Sequence, residues 1–138
     1  MKHIKSGSKR KSFALLHSTR NLQAAAMTLK PGGTSDDEPS NEHPRSEQWL
    51  FVISGSGEAR VGSVRNKLRR VKLEENSMLL IEKGELHQIK NIARKELRTI
   101  NFYAPPAYGG GGEPTLRNKI MSAEPLKRLV RPAKAGDF

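Results

Sequence analysis

Short apolar segments separated by turn residues run along most of the chain. The clearest are QWLFVIS and LRTINFYA, at residues 48–54 and 97–104, which end directly before glycine and proline. Six further segments of strand length lie at residues 12–17, 21–30, 58–64, 68–73, 77–82 and 86–92. Short strands that recur about every ten residues are typical of antiparallel sandwiches and barrels. The pattern therefore predicts an all-β fold.

Two apolar runs, residues 49–53 and 78–81, do not alternate with polar positions. Continuous apolar runs suit strands that are covered on both faces, as in a closed barrel or in a sheet that packs against a second subunit. We therefore predict a homodimer.

The length and composition favour one domain with charged ends. A chain of 138 residues is long enough for a single core. We assign residues 1–11 to a basic disordered tail, 12–107 to the β-barrel domain, and 108–138 to a glycine-rich loop with a basic tail. Because Pro125 interrupts the last segment, that segment is predicted to hold at most a short C-terminal helix.

Targeting signals and cysteines are missing from the sequence. No run approaches the roughly 20 apolar residues that span a bilayer, and the basic start lacks the apolar stretch of a secretory signal. We expect a cytoplasmic protein that does not enter a membrane. With no cysteine, disulfides, thiolate nucleophiles and cysteine zinc sites are excluded, so a metal would need His, carboxylate or amide ligands.

The net charge of +11 and the pI of about 10.3 raise the alternative of a nucleic-acid-binding or phosphate-binding module. Many of the basic residues fall in the two tails, and others lie on a strand pair near residues 65–72, where their side chains are expected to face water. No aromatic residues are interleaved with them to stack on bases. We therefore expect a solvated basic face, and nucleic acid is the weaker alternative.

Two histidines stand at the ends of predicted strands. His43 and Gln48 flank the entrance to one strand, and a turn at Gly84 delivers His87 into another. Residues 34–47 also form the acid-rich segment of this basic chain. Two histidines from different strands, joined by an amide or a carboxylate, are what a divalent transition-metal site needs.

The spacing of these residues resembles the two motifs of the cupin family. The second motif, G-x5-P-x-G-x2-H-x3-N, is matched at Gly84, His87 and Asn91, while Asn76 and Glu82 replace its first glycine and its proline. The first motif, G-x5-H-x-H-x(3,4)-E-x6-G, is matched in part. Its residues correspond, in order along the chain, to Asn41, His43, Gln48 and Gly55. The resemblance covers about residues 22–104.

This resemblance implies a double-stranded β-helix, the jelly-roll barrel of the cupins. It also implies a divalent metal, Zn, Fe, Mn or Ni, held by His43, His87 and Gln48. Asn41 and Gln48 would offer neutral amide oxygens where the family has histidine and glutamate, so metal affinity should be lower than with the intact motif. Further candidate ligands are Asn41 itself, Glu42 and Glu47. Of these, Glu47 is disfavoured because neighbours on a strand face opposite sides.

Three functions remain open. Because glutamine often replaces the ligand glutamate in small single-domain cupins similar to mannose-6-phosphate isomerase, the chain looks closest to that group. The first function, which this resemblance implies, is a metal-binding cupin that isomerises or oxidises a small polar, sugar-like compound. A second alternative is a cupin pocket that binds a small molecule without metal or catalysis. The third is the basic nucleic-acid-binding module. The sequence does not identify catalytic residues.

Overall fold

The computed structural model describes residues 1–6, 12–110, 114 and 115. Eight strands form within them, one in each predicted segment, and these residues contain no helix. The strands are β1 (Phe13–Ser18), β2 (Gln23–Leu29), β3 (Glu47–Ser54), β4 (Gly57–Gly62), β5 (Arg69–Leu73), β6 (Met78–Ile81), β7 (Leu86–Lys90) and β8 (Leu97–Ala104). The all-β prediction is confirmed.

The strands form two antiparallel sheets. The large sheet has the order β1-β2-β8-β3-β6, and the small sheet has the order β5-β4-β7. Neighbouring strands in the large sheet are distant in sequence, as where β8 lies between β2 and β3. This is the double-stranded β-helix expected from the sequence. The core lies between the sheets, with Leu50, Ile81 and Leu97 fully buried.

Alternation along the strands decides which side chains reach the core. Buried and partly buried positions alternate strictly through β2 and β8. On β8 the buried positions after Leu97 are Thr99, Asn101 and Tyr103, so three polar groups face inward from a single strand. Strand β5, by contrast, keeps its basic residues exposed, as the sequence predicted.

Two turn residues of the cupin-like motifs show why their identity matters. Asn76 replaces a motif glycine and still has a positive φ of 69°, a conformation that asparagine tolerates better than most residues. Gly55 has a φ of 88°, and a Cβ there would overlap the carbonyl oxygen of Glu96 and lie 3.0 Å from Cα of Leu97. The return from β3 to β4 therefore requires glycine at residue 55.

The ordered contacts of the barrel continue beyond the predicted boundary at residue 107. Tyr108 forms a β-bridge with Pro114 and packs on the ring of Phe13, with centroids 5.0 Å apart. Tyr108 therefore packs on the barrel, and the domain boundary at residue 107 stays a prediction. Residues 7–11 of the predicted N-terminal tail, most of the predicted C-terminal tail and the short C-terminal helix lie outside the described residues.

Candidate functional site

A cavity of about 250 Å³ lies at one end of the barrel between the two sheets. Its wall combines polar, aromatic and aliphatic side chains. The lining residues are Ser12, Phe13, Met27, Leu29, Thr34, Ser35, Asp36, Glu42, His43, Gln48, His87, Ile89, Tyr103 and Tyr108. All three principal residues predicted for the site, His43, Gln48 and His87, are among them.

His43 is held by a tight turn just before β3. Its backbone N–H donates to Oδ1 of Asn41 at 2.7 Å, and its carbonyl accepts from the N–H of Ser46 at 2.9 Å. These bonds stabilise the turn and hold the ring at the cavity, where the residue is 1% exposed. His43 is thus a buried residue of the cavity and not a solvated loop histidine.

His87 approaches the same point from the small sheet. It lies on β7, and its backbone exchanges two hydrogen bonds with Ser40 of the acidic segment. Its ring centroid is 4.9 Å from that of His43. Nδ1 lies 3.1 Å from the carbonyl oxygen of Glu85, which can only accept, so Nδ1 carries the proton. In the neutral ring, Nε2 is then left with its lone pair.

Gln48 connects His43 to a chain of buried polar groups. Oε1 of Gln48 lies 3.0 Å from Nε2 of His43, and Nε2 of Gln48 donates to Oδ1 of Asn101 at 2.8 Å. Asn101 Nδ2 donates to the Thr99 hydroxyl at 3.0 Å, which donates to the Met27 carbonyl at 3.3 Å. A polar chain therefore runs from the cavity into the core of the large sheet.

The donor-to-acceptor direction of this hydrogen-bond chain depends on the protonation state of His43. In the direction just described, both ring nitrogens face oxygen acceptors, Ser46 O at 3.2 Å and Gln48 Oε1, so the ring must carry two protons. Turning both amides over gives a second complete chain, because amide N and O are assigned from hydrogen bonding alone. Gln48 then donates to a neutral His43, and Asn101 accepts from Thr99.

Burial favours the neutral histidines. It is the largest influence on both rings and lowers the pKa of His43, and it lowers the pKa of His87 from 6.5 to about 3, with the neighbouring His43 adding to the effect. The backbone carbonyl of Ser46 opposes this at His43. Near neutral pH the paired rings therefore act as uncharged hydrogen-bonding groups.

Two tyrosines were missed as site residues by sequence reasoning. Tyr103 lines the cavity, with its ring 5.0 Å from that of His43. Tyr108 stacks edge-on against Tyr103 at 5.1 Å, and its hydroxyl donates to Oε1 of Glu42 at 3.2 Å. The signal for Tyr103 was present in the sequence, because it shares the inward face of β8 with Asn101.

The further candidate ligands separate into different roles. Glu42 lines the cavity, whereas Asn41 does not, and the side chain of Asn41 accepts from the backbone of His43. Glu47 turns away, and its Oε2 accepts from the Trp49 indole at 2.9 Å on the outer face of the sheet. Asn91, the last residue of the second motif, is structural because its Nδ2 donates to the carbonyls of Leu29 and Lys95.

The donor set does not fit a resident metal as it is arranged. The described residues contain no group of three His, Cys, Asp or Glu side chains that could hold an ion. In both directions of the amide chain, Nε2 of His43 is hydrogen-bonded to Gln48. Its lone pair is therefore free to bind a metal only if the Gln48 side chain rotates away from the ring. Of the two cavity histidines, His87 is the one that offers a ring nitrogen ready for coordination.

Solved structures with the same fold are found in distant organisms. BH2720 of Bacillus halodurans is 24% identical with a TM-score of 0.69, and the match covers 80% of each chain. An RmlC-like cupin family protein with a double-stranded β-helix fold from Methanocaldococcus jannaschii is 20% identical with a TM-score of 0.61, covering 76% of this chain and 91% of that one. Within the described residues, no helix is long and apolar enough to span a membrane.

Sequence comparison gives the family. The uncharacterized protein YrkC of Bacillus subtilis strain 168 is 24% identical over 106 residues, which are 76% of this chain and 55% of YrkC. This chain therefore spans about half the length of the curated relative it matches. The cupin domain model matches residues 25–103, more than half of the chain and almost the whole barrel. The chain belongs to the cupin family.

Proposed function

We propose that this chain is a ligand-binding cupin whose barrel mouth takes up a small polar molecule by hydrogen bonding, with no metal in the binding step. The observation that carries the proposal is the convergence of His43, Gln48 and His87 on one cavity, together with the hydrogen bond that occupies the His43 nitrogen. His43 and Gln48 are thereby engaged with each other as hydrogen-bonding groups.

The dimensions and the lining of the cavity support a ligand of about monosaccharide size. A volume of about 250 Å³ is just below the range of roughly 300–1,000 Å³ that is usual for small-molecule pockets. Aliphatic side chains of Met27, Leu29 and Ile89 line the cavity together with the polar groups. Such a mixed wall suits a compact ligand with an apolar edge and several hydroxyl or amino groups.

The experiment is a binding screen on untagged protein kept in EDTA. We expect monosaccharides or polyols to raise the melting temperature and to perturb NMR signals at the cavity, since a ligand that binds only the folded state stabilises it. His87→Ala and Gln48→Leu should each lose the effect. His17→Ala is the matched control, because His17 lies on β1 and does not line the cavity. Binding that survives both cavity variants would refute the proposal.

A second candidate is a divalent-metal site at the same residues. It is favoured by the orientation of His87, whose Nδ1 donates to the Glu85 carbonyl as the ligating histidines of metal sites commonly do. The isomerase or oxygenase activity and the similarity to mannose-6-phosphate isomerase, which the resemblance implies, depend on this candidate and stay predictions. Metal titration of EDTA-treated protein separates it from the first.

A further inference from the structure

The charge of the cavity wall is opposite to that of the whole protein. The chain has 25 Lys and Arg residues against 14 Asp and Glu residues, a net charge of +11. No Lys or Arg is found among the residues that line the cavity, whereas Asp36 and Glu42 both line it. With no Lys or Arg on the wall, these two carboxyl groups set the sign of the local field.

The charge of Glu42 acts on Asp36, and both residues line the cavity. Burial and then the negative charge of Glu42 raise the pKa of Asp36 from 3.8 to about 6, while hydrogen bonds from Ser35 and Ser40 oppose this rise. A cation bound in the cavity would favour the ionised form of Asp36, whereas an anion would disfavour it.

His87 supplies an independent indication of the same kind. The residue is 7% exposed and its ring lines the cavity. Its Nδ1 proton is used on Glu85, and its Nε2 has no hydrogen-bond partner among the described residues. The Nε2 lone pair can accept a hydrogen bond from a donor in the cavity, supplied by water or by a ligand.

Part of the remaining wall is aromatic. The rings of Phe13, Tyr103 and Tyr108 form a continuous group, with centroid separations of 5.0 Å for Phe13 and Tyr108 and 5.1 Å for the two tyrosines. Aromatic faces attract organic cations through the ring quadrupole. Carboxylates, an acceptor nitrogen and aromatic rings around one cavity are complementary to a cation that carries N–H donors.

We infer that the ligand of this cavity is a small organic ammonium ion, an amine-bearing compound of about monosaccharide size, held by Asp36, Glu42 and the Nε2 atom of His87. The inference rests on the proposed function and adds the chemical class of the ligand to it. Sugar phosphates and other anions are excluded by the same charges that favour an amine.

The test uses three probes that share one carbon chain and differ in charge at one end, namely glucamine, sorbitol and gluconate. Their binding to the full-length protein is measured by calorimetry in EDTA, so that no metal competes. We expect glucamine to bind about tenfold more tightly than sorbitol, and gluconate to bind more weakly than both. Added salt should weaken glucamine binding and leave sorbitol binding unchanged.

The variants Glu42→Gln and Asp36→Asn keep the shape of each side chain and remove its charge. Each should weaken glucamine binding by about threefold to tenfold without changing sorbitol binding. Asp37→Asn is the matched control, since it removes the same charge from the neighbouring residue, which does not line the cavity. Because Glu42 is exposed, Glu42→Gln should fold even if Asp36→Asn does not.

The outcomes separate the inference from the function on which it rests. If sorbitol binds as tightly as glucamine and the cavity variants affect both equally, the ammonium inference is wrong and the polar-ligand function stands. If gluconate binds best, the inference is also wrong. If none of the three binds in the millimolar range, both the inference and the proposed function are overturned for polyol-sized ligands.

Discussion

Nε2 of His43 lies 3.0 Å from Oε1 of Gln48, and this contact joins the cavity to the polar chain in the core of the large sheet. The separation equals a hydrogen bond, and it is also close to the distance between two adjacent ligands of one metal ion, about 3 Å for bonds of 2.0–2.2 Å. A rotation of the Gln48 side chain that breaks this hydrogen bond is therefore what separates the hydrogen-bonding pocket from a metal site.

A metal titration tests which of the two the protein uses. Gln48→Glu should strengthen the binding of Mn²⁺, Fe²⁺, Ni²⁺ and Zn²⁺, because it adds the anion that the amide lacks. His87→Ala should abolish the binding, since His87 offers the available ring nitrogen. Calorimetry on wild type, both variants and the His17→Ala control gives the comparison. Should His87→Ala bind as well as wild type while Gln48→Glu brings no gain, the metal prediction is wrong.

Two glycines with the same backbone conformation should differ in their tolerance of alanine. Gly55 and Gly84 have φ values of 88° and 85°, but only at Gly55 would a Cβ overlap backbone atoms, whereas Gly84 has no atom within 4 Å. Gly84→Ala should cost about 1 kcal/mol from the left-handed conformation alone, and Gly55→Ala about 3 kcal/mol or more. Urea unfolding measures both, and equal losses would contradict the clash at Gly55.

Acidification should destabilise the fold through His87. The unfolded chain takes up a proton at this histidine as the pH falls through about 6.5, whereas the folded protein resists it until the pH is about 3. Between these values protons favour the unfolded state, so stability falls with pH. Wild type should lose about 2 kcal/mol more than His87→Gln between about pH 6.5 and about pH 5.

Asp36 acts in the opposite direction in the same pH range. Its pKa is raised from 3.8 to about 6, so the folded state takes up this proton first and gains stability as the pH falls through about 6. The variant Asp36→Asn should therefore lose stability more steeply than wild type as the pH falls.

Both pH predictions are measured by urea midpoints in EDTA. A His87→Gln variant whose stability has the same pH slope as that of wild type would rule out the assignment to His87.

The homodimer prediction has a surface to which it can be assigned. Trp49, Met78 and Leu80 are 38%, 58% and 38% exposed on the outer face of β3 and β6. Glu47 and Arg98 lie at opposite ends of this face, so a two-fold axis across the strands would place Glu47 of one copy over Arg98 of the other. We expect this face to be covered by a second copy of the chain.

Light scattering at micromolar concentration should give the mass of a dimer for wild type. Trp49→Gln and Met78→Gln should shift it towards the monomer, because each places a polar group in the apolar face. Ile92→Gln is the control, since Ile92 is 65% exposed and lies outside the strands of this face. A monomeric wild type would refute the prediction, and a dimer that both variants leave intact would refute the choice of surface.

The sequence alone determined the eight strands and the motif spacing, because both are local properties of the chain. Apolar runs ended by turn residues predict strands without knowledge of their partners. Likewise, Gly84, His87 and Asn91 fall within one turn, the strand that follows and the residue just after it, so their spacing is enough to indicate the family. The inward position of Gln48 and the outward position of Glu47 followed from alternation on one strand.

The tertiary structure alone decided what His43 and His87 do. Gln48 meets Asn101 because β3 pairs with β8, across 53 residues of sequence, and this contact sets the hydrogen bond that His43 receives. Tyr108 reaches Glu42 across 66 residues. Strand pairing between distant segments brings these groups together, and burial between the sheets then makes the histidines neutral and Asp36 difficult to ionise. Neither effect is written in local sequence, because both depend on which segments exclude water from each other.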